Sequence, residues 1–266
     1  SIKNPWFAKF RSDNPARNAF FILRMLIQRT TKVKHDIYLY FLDYTKAFDR
    51  VKHANLFEIL ENLDIDGKDL WLIRSLYWDQ KATIKVNSEY INIKREVRQG
   101  CVLSPNLFNI YSEMILRNIE DFEGVKVGGY NCNNIRYADD TVLIASNKED
   151  LQRMINVVTR ESTSMGLSLN VKKSECMTIS KNKIPPTCSV NINGESIKQV
   201  TRFNYLGFTI TSDGRCDEEI KKRIALSKQA FQKMSSILKN RTISINTKTR
   251  VLKCYVWSIL LYGSES

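Results

Sequence analysis

Residues 135–145 read Ile-Arg-Tyr-Ala-Asp-Asp-Thr-Val-Leu-Ile-Ala, with two adjacent carboxylates inside a stretch that alternates on one side and runs apolar on the other. Strand formers flanking a polar pair predict a β-hairpin with Asp139 and Asp140 at its tip. Acids are poor strand formers, and two side by side repel. A divalent cation is the simplest compensation, since hard cations take carboxylate oxygens. Taken alone, Tyr137-Ala138-Asp139-Asp140 is more often a solvated turn. Its surroundings change that weight, because an apolar run from 37 to 42 delivers a third carboxylate, Asp43, at the end of what reads as a buried central strand.

With 266 residues the chain can bury a sizeable core as one large domain or two small ones. Lys and Arg outnumber Asp and Glu 41 to 28, a formal charge of +13, so the default partner is a polyanion, nucleic acid rather than membrane. Arg24 interrupts the apolar stretch from 19 to 27, and the stretch from 254 to 262 is too short to span a bilayer. Cys101, Cys132, Cys176, Cys188, Cys216 and Cys254 are scattered without a C-x-x-C pair, and His35 and His53 alone are available to complete a zinc site. They read as free thiols of a reducing compartment. The sequence opens on Ser1-Ile2-Lys3, with no initiator methionine or signal peptide, and is expected to be a fragment of a longer translation.

Asn14-Pro15 supplies a cap and a first-turn proline for an amphipathic helix carrying Ala16, Ala19, Phe20, Leu23, Leu26 and Ile27. Helices are expected around 53–63 and 67–78 with Gly67 between them, then a hairpin over 81–97 turning at Asn87-Ser88-Glu89. Ser104-Pro105 starts a long helix through Phe108, Ile110, Tyr111, Met114 and Ile115. Asn147 caps a helix to Gly166, short strands with an Asn193-Gly194 turn occupy the stretch to about 211, and helices at about 217–240 and 247–262 close the chain. This order implies an α+β sheet backed by helices. From 215 to 253 eleven Lys or Arg face Asp217, Glu218 and Glu219, so these helices either track a phosphate backbone or are a solvated surface.

The segments Phe41-Leu42-Asp43-Tyr44-Thr45-Lys46-Ala47-Phe48-Asp49, Arg98-Gln99-Gly100-Cys101-Val102-Leu103-Ser104-Pro105 and Tyr137-Ala138-Asp139-Asp140, in that order, resemble the core motifs of reverse transcriptases. The phrase from Arg98 to Tyr111 and the Ala47-Phe48-Asp49 after the first aspartate are similar to the non-LTR, LINE-type branch. Leu167 to Ser174 is similar to the family's lysine-bearing motif and Phe203 to Gly207 to its primer grip. The resemblance covers nearly the whole chain from Phe10 onward. It implies a polymerase palm, an antiparallel sheet backed by helices, with partial fingers over 1–35, the palm over 36–211 with an inserted fingers hairpin near 81–97, and the start of a helical thumb over 212–266.

What the resemblance implies for chemistry is RNA-directed DNA synthesis with two Mg2+ ions, which Mn2+ can replace, acting on an RNA template, a DNA primer and deoxynucleoside triphosphates. Phosphoryl transfer needs mainly positioning and charge neutralisation, which two metals roughly 3.5 to 4 Å apart supply. The implied metal ligands are Asp43, Asp139 and Asp140. Phe48, five residues beyond Asp43, is the implied ring under the incoming sugar, excluding a 2′-hydroxyl; as a plain sequence position it equally fits a core phenylalanine at a helix start. Arg98, Gln99 and Gly100 are the implied packing surface for template and nucleotide, glycine allowing close backbone approach. Lys173, or its neighbour Lys172, is the implied proton donor to pyrophosphate, with Asn170 and Ser174 favouring Lys173. Tyr205, Leu206 and Gly207 are implied to hold the primer end, or else form a buried strand and turn. Lys221, Lys222 and Arg223 are the candidate phosphate contacts of the basic helices.

The phrase from Phe10 to Arg17 departs from the family's usual form, and the basic fingers segments and endonuclease of many such elements are absent from this sequence. Two further readings stand beside the polymerase: a catalytically weak or inactive nucleic-acid-binding remnant, and a group II intron maturase-like enzyme. A retroelement protein of this kind is expected inside the cell, in nucleus and cytoplasm, without membrane association.

Overall fold

The computed structural model describes residues 15–63, 65–77, 81–83, 90–127 and 129–264. In chain order these form α1 (Pro15–Lys32), β1 (Ile37–Leu42), α2 (His53–Glu61), α3 (Gly67–Tyr77), β2 (Lys81–Thr83), β3 (Tyr90–Asn92), α4 (Ser104–Leu116), β4 (Val125–Val127), β5 (Tyr130–Cys132), β6 (Asn134–Tyr137) and β7 (Asp140–Ala145). There follow α5 (Lys148–Ser164), β8 (Glu175–Ile179), β9 (Asn191–Ile192), β10 (Glu195–Ser196), β11 (Lys198–Gln199), β12 (Arg202–Tyr205), β13 (Phe208–Thr211), α6 (Asp217–Lys233), α7 (Ser235–Lys239) and α8 (Ile245–Leu252).

The expected elements form where local signals were strong. Asn147 caps α5 by accepting from the Asp150 amide, and Asn193 and Gly194 take the left-handed conformations a two-residue hairpin turn needs. β2 and β3 pair as the expected hairpin, whose turn at 87–89 lies outside the described residues, as do residues 10–14 with the expected cap Asn14. Gly67 is not a linker but the first residue of α3. The expected long helix from 217 instead ends at Lys233 and resumes at Ser235, and the last helix passes into a π-turn over Lys253–Trp257.

The chain divides into two compact units. One comprises 38–176 and 188–199. Its sheet has the order β11-β8-β1-β7-β6, so β1 is central, as its unbroken apolar run requires. β7 lies antiparallel between β1 and β6, pairing Tyr40 with Leu143 and Tyr38 with Ala145. Tyr40, Leu42, Leu143 and Ala145 join a core with Phe57 of α2, Phe108, Tyr111 and Ile115 of α4, and Leu151, Met154, Ile155 and Val158 of α5. This helical backing fixes the sheet whose strand ends carry the acids. β4 and β5 form a separate antiparallel pair.

The other unit comprises 1–37, 177–187 and 200–266, the chain passing into it within β8. Here β12 and β13 pair through Tyr205 and Phe208, and the Phe208 ring stacks on Phe20 of α1 at 3.7 Å with an interplanar angle of 6°. Among the described residues no helix is long and apolar enough to cross a membrane.

Candidate active site

β1 ends at Leu42, and Asp43 leaves the sheet at its C-terminal end. Its backbone is tied from both sides of a distant turn: the Asp43 amide donates to Ser174 Oγ at 3.2 Å, and the Asn170 amide donates to the Asp43 carbonyl at 2.8 Å. Two residues on, the Thr45 amide donates to the Ser168 carbonyl at 2.8 Å, so the 168–174 segment clamps the exit of β1. Asp43 Oδ2 is buried and has no hydrogen-bond partner among the described residues. Desolvation raises the Asp43 carboxyl, Lys173 and the Asn170 side chain pull it down, and the charge of Asp139 pushes it up. Of the two candidate lysines it is therefore Lys173 whose charge reaches Asp43; the residue is exposed.

The second and third acids sit where expected. Tyr137 and Asp140 are the closing pair of the β6–β7 hairpin, and Ala138 and Asp139 make the turn. Ala138 has φ +51°, a left-handed conformation that alanine seldom takes and that costs of order 1–2 kcal/mol. Such strain is found where a site needs a particular backbone path. Asp140 is open to solvent on one side, yet desolvation and then the charges of Asp139 and Asp43 push its carboxyl up to about 6. The three carboxylates thus form one electrostatically coupled group. Among the described residues no three His, Cys, Asp or Glu side chains make a preformed metal cage.

Phe48 opens a single helical turn four residues after Tyr44, and its half-buried ring stacks on Phe108 at 5.0 Å and 22°. One face of the ring therefore rests on the core. Arg98 and Gln99 are exposed, and Gly100 has φ +85° with no heavy atom within 4 Å of an ideal Cβ. The Arg98 carbonyl is held by Ser104 Oγ at 2.6 Å, and Ser104 in turn bonds to the Tyr77 hydroxyl at 3.1 Å. This loop is therefore anchored at the start of α4 while its glycine presents bare backbone.

Tyr205, Leu206 and Gly207 belong to the other unit. Tyr205 is buried, and Leu206 at φ +49° with Gly207 at φ +83° forms the two-residue turn between β12 and β13. Of the three basic residues of α6, Lys221 is exposed, whereas Lys222 and Arg223 are engaged within the unit. Lys222 Nζ donates to Asn204 Oδ1 at 3.2 Å and Thr209 Oγ1 at 3.1 Å. Arg223 donates to Glu219 Oε1 and to the Gly207 carbonyl, both at 2.5 Å, and lies 4.5 Å over the Tyr262 ring.

Sequence reasoning missed the polar network under the aspartate hairpin. Arg136 and Glu113, both buried, form an ion pair, and Arg136 Nε donates to Asn134 Oδ1 at 2.8 Å. The available signal was Arg136 itself, a charge on an otherwise buried strand; nothing in the sequence pointed to α4 as the source of its partner.

The family model described as reverse transcriptase (RNA-dependent DNA polymerase) matches residues 8–210. The chain is 26% identical over 216 residues to the Pol polyprotein of the R2 retrotransposable element of Nasonia vitripennis, covering 76% of this chain and 21% of that protein. It is 29% identical over 217 residues to the R2DM Pol polyprotein of Drosophila melanogaster, covering 77% of this chain and 20% of that protein. It is 25% identical over 235 residues to the RNA-directed DNA polymerase of the mobile element jockey of Drosophila funebris, covering 85% of this chain and 25% of that protein. The chain thus spans about a fifth to a quarter of the length of these relatives. Among solved structures, apo telomerase from Candida tropicalis matches with a TM-score of 0.57 at 16% identity, covering 96% of this chain and 46% of that one. That likeness is one of fold, the polymerase palm.

Proposed function

The chain belongs to the reverse transcriptase family, and from that premise we propose that it is the palm-centred part of a non-LTR retrotransposon polymerase that extends a DNA primer on an RNA template. The observation that carries the reading is the buried, unpartnered Oδ2 of Asp43 within the field of Asp139, itself next to an Asp140 whose carboxyl is pushed up to about 6. Three mutually opposing carboxylates held by strand ends are costly without a cation and well matched to one.

The donor set fits Mg2+, which takes hard oxygens and rests on one or two carboxylates plus substrate phosphates rather than on an all-protein cage. Asp43 and Asp139 would hold both ions, with Asp140 as a further ligand or support. When bound, two such ions neutralise the attacking and leaving oxygens of an in-line displacement. The protein's part is placement. The clamp of Asn170 and Ser174 fixes Asp43, and the turn at Ala138 fixes Asp139. Lys173 would hold the proton delivered to the pyrophosphate oxygen, since its ammonium lies in the field of Asp43. The Phe48 ring, braced on Phe108, would lie beneath the sugar of a deoxynucleoside triphosphate, and Arg98, Gln99 and Gly100 would pack against template and nucleotide. Tyr205, Leu206 and Gly207 would hold the primer end, and Lys221 a duplex phosphate. In this reading the palm runs over 36–211 and the thumb begins at 212.

Primer extension on an RNA template by the purified chain, beside an Asp139→Asn control, tests the proposal. Template-dependent extension with deoxynucleotides that vanishes in the control is expected; equal extension by both proteins would overturn the assignment.

A further inference from the structure

The Asp139-Asp140 tip projects from a hairpin whose buried strand carries a charge the chemistry just described does not use. Arg136 lies three residues before Asp139, and its Nη1 pairs with Glu113 Oε2 of α4, the two side chains being 5% and 6% exposed. Arg136 Nε donates to Asn134 Oδ1 at 2.8 Å, Asn134 Nδ2 to Asn133 Oδ1 at 2.7 Å, and Asn133 Nδ2 to the carbonyls of Ile119 at 2.6 Å and Phe122 at 3.0 Å. Arg117, one turn beyond Glu113, adds an ion pair at 3.6 Å. A continuous polar chain therefore runs from α4 and the segment after it into β6. Tyr44, the residue after Asp43, lies within the field of Arg136.

A buried ion pair is weak evidence for stability, because desolvating two charges offsets most of their attraction, and apolar replacements of similar volume are often as stable or more so. What such a pair does supply is direction. The guanidinium has a fixed fork, and both partners must be satisfied together, so β6 has one seat on α4 where an apolar contact would leave several. Hydrogen-bonded groups behind metal-ligating side chains act the same way, and their loss typically costs about 10- to 100-fold in affinity or activity.

We infer that Arg136 and Glu113 are positioning residues that lock the β6–β7 hairpin to α4 and so hold Asp139 and Asp140 in register with Asp43. The inference concerns the hairpin itself and rests on the polymerase reading only for its consequence in catalysis.

The test compares the whole chain with the double variant Glu113→Met/Arg136→Met and with Arg136→Lys, which keeps the charge. Three quantities are read: thermal unfolding, hydrogen exchange of the amides from 135 to 143, and the kinetics of primer extension. The double variant is expected to unfold near the wild-type temperature, to exchange its hairpin amides at least about tenfold faster, and to lose about 10- to 100-fold in kcat with KM for the primer-template unchanged. Arg136→Lys should recover part of both losses. If the double variant fails to fold, Arg136→Lys against wild type supplies the same comparison with smaller differences. Unchanged hairpin exchange overturns the inference whether or not the chain polymerises, and so does unchanged kcat in an active chain. Faster hairpin exchange in a chain whose wild type extends no primer upholds the lock and defeats the polymerase reading instead.

Discussion

Arg223 donates a 2.5 Å hydrogen bond to the carbonyl of Gly207, joining the second turn of α6 to the tip of the β12–β13 hairpin. Tyr262 reaches the same tip, donating to the Leu206 carbonyl at 3.1 Å, and its ring stacks on Phe208 at 4.5 Å. Glu219 completes the arrangement by accepting from the Thr209 amide at 2.8 Å and from Arg223. Both carbonyls of a turn made of left-handed residues are thus capped. Arg223, 14% exposed, is committed to this turn, which separates it from the exposed Lys221 of the same helix.

That separation predicts different outcomes for the two residues. Arg223→Met removes hydrogen bonds to a charged donor, each worth about 1.5–3 kcal/mol, and should lower the unfolding temperature clearly. Lys221→Gln should leave unfolding untouched and reduce the slope of log affinity against log salt for a primer-template by about 1. Thermal unfolding and salt titration measure both. Equal loss of stability in the two variants would contradict the assignment.

Asp43→Asn and Asp139→Asn should each abolish extension, because each removes a carboxylate shared between the two proposed ions, and Asp140→Asn should be milder. Circular dichroism and thermal unfolding should show all three folded. Residual extension by Asp43→Asn at the wild-type rate would place the site elsewhere.

The raised carboxyl of Asp140, about 6 against 3.8 in an unfolded chain, makes a pH prediction for the metal-free protein. A group that binds its proton more tightly when folded costs stability above its folded pKa, and the cost fades as pH falls toward the unfolded value. In the presence of a chelator, Asp140→Asn should therefore unfold at a higher temperature than wild type at about pH 7.5. The difference should close between about pH 6 and pH 4. Parallel profiles across that range would mean the charge of Asp140 is not opposed in the folded chain. Adding Mg2+ should stabilise wild type more than Asp139→Asn, since only a ligand bound by the folded state raises its unfolding temperature.

Phe48 rests on Phe108 with part of its ring exposed, so truncation acts on both core and site. Phe48→Val should increase ribonucleotide use relative to deoxynucleotide, read as the ratio of the two kcat/KM values. A modest fall in unfolding temperature should accompany it. A destabilised variant with an unchanged ratio would make Phe48 purely a core residue.

The sequence by itself determined the pieces whose cause is local. The apolar run at 37–42 suited a buried strand ending at Asp43, the alternation around Asp139-Asp140 made a hairpin, and Asn147, Ser104-Pro105 and Asn193-Gly194 marked helix starts and a turn. Each depends on periodicity, capping or backbone preference within a few residues. Tertiary structure decided what depends on partners far apart in the chain. It brought the charge of Lys173, the lysine that Asn170 and Ser174 already favoured in the sequence, within reach of Asp43, matched Arg136 to Glu113 across 23 positions, and turned Arg223 inward to Gly207 across 16. It also grouped the Tyr205-Leu206-Gly207 turn with α6 and α1 in one compact unit, apart from the sheet that carries the aspartates. A charged side chain has the same local signature whether it faces water, nucleic acid or a buried partner, and only the packing of distant elements settles which of these it meets.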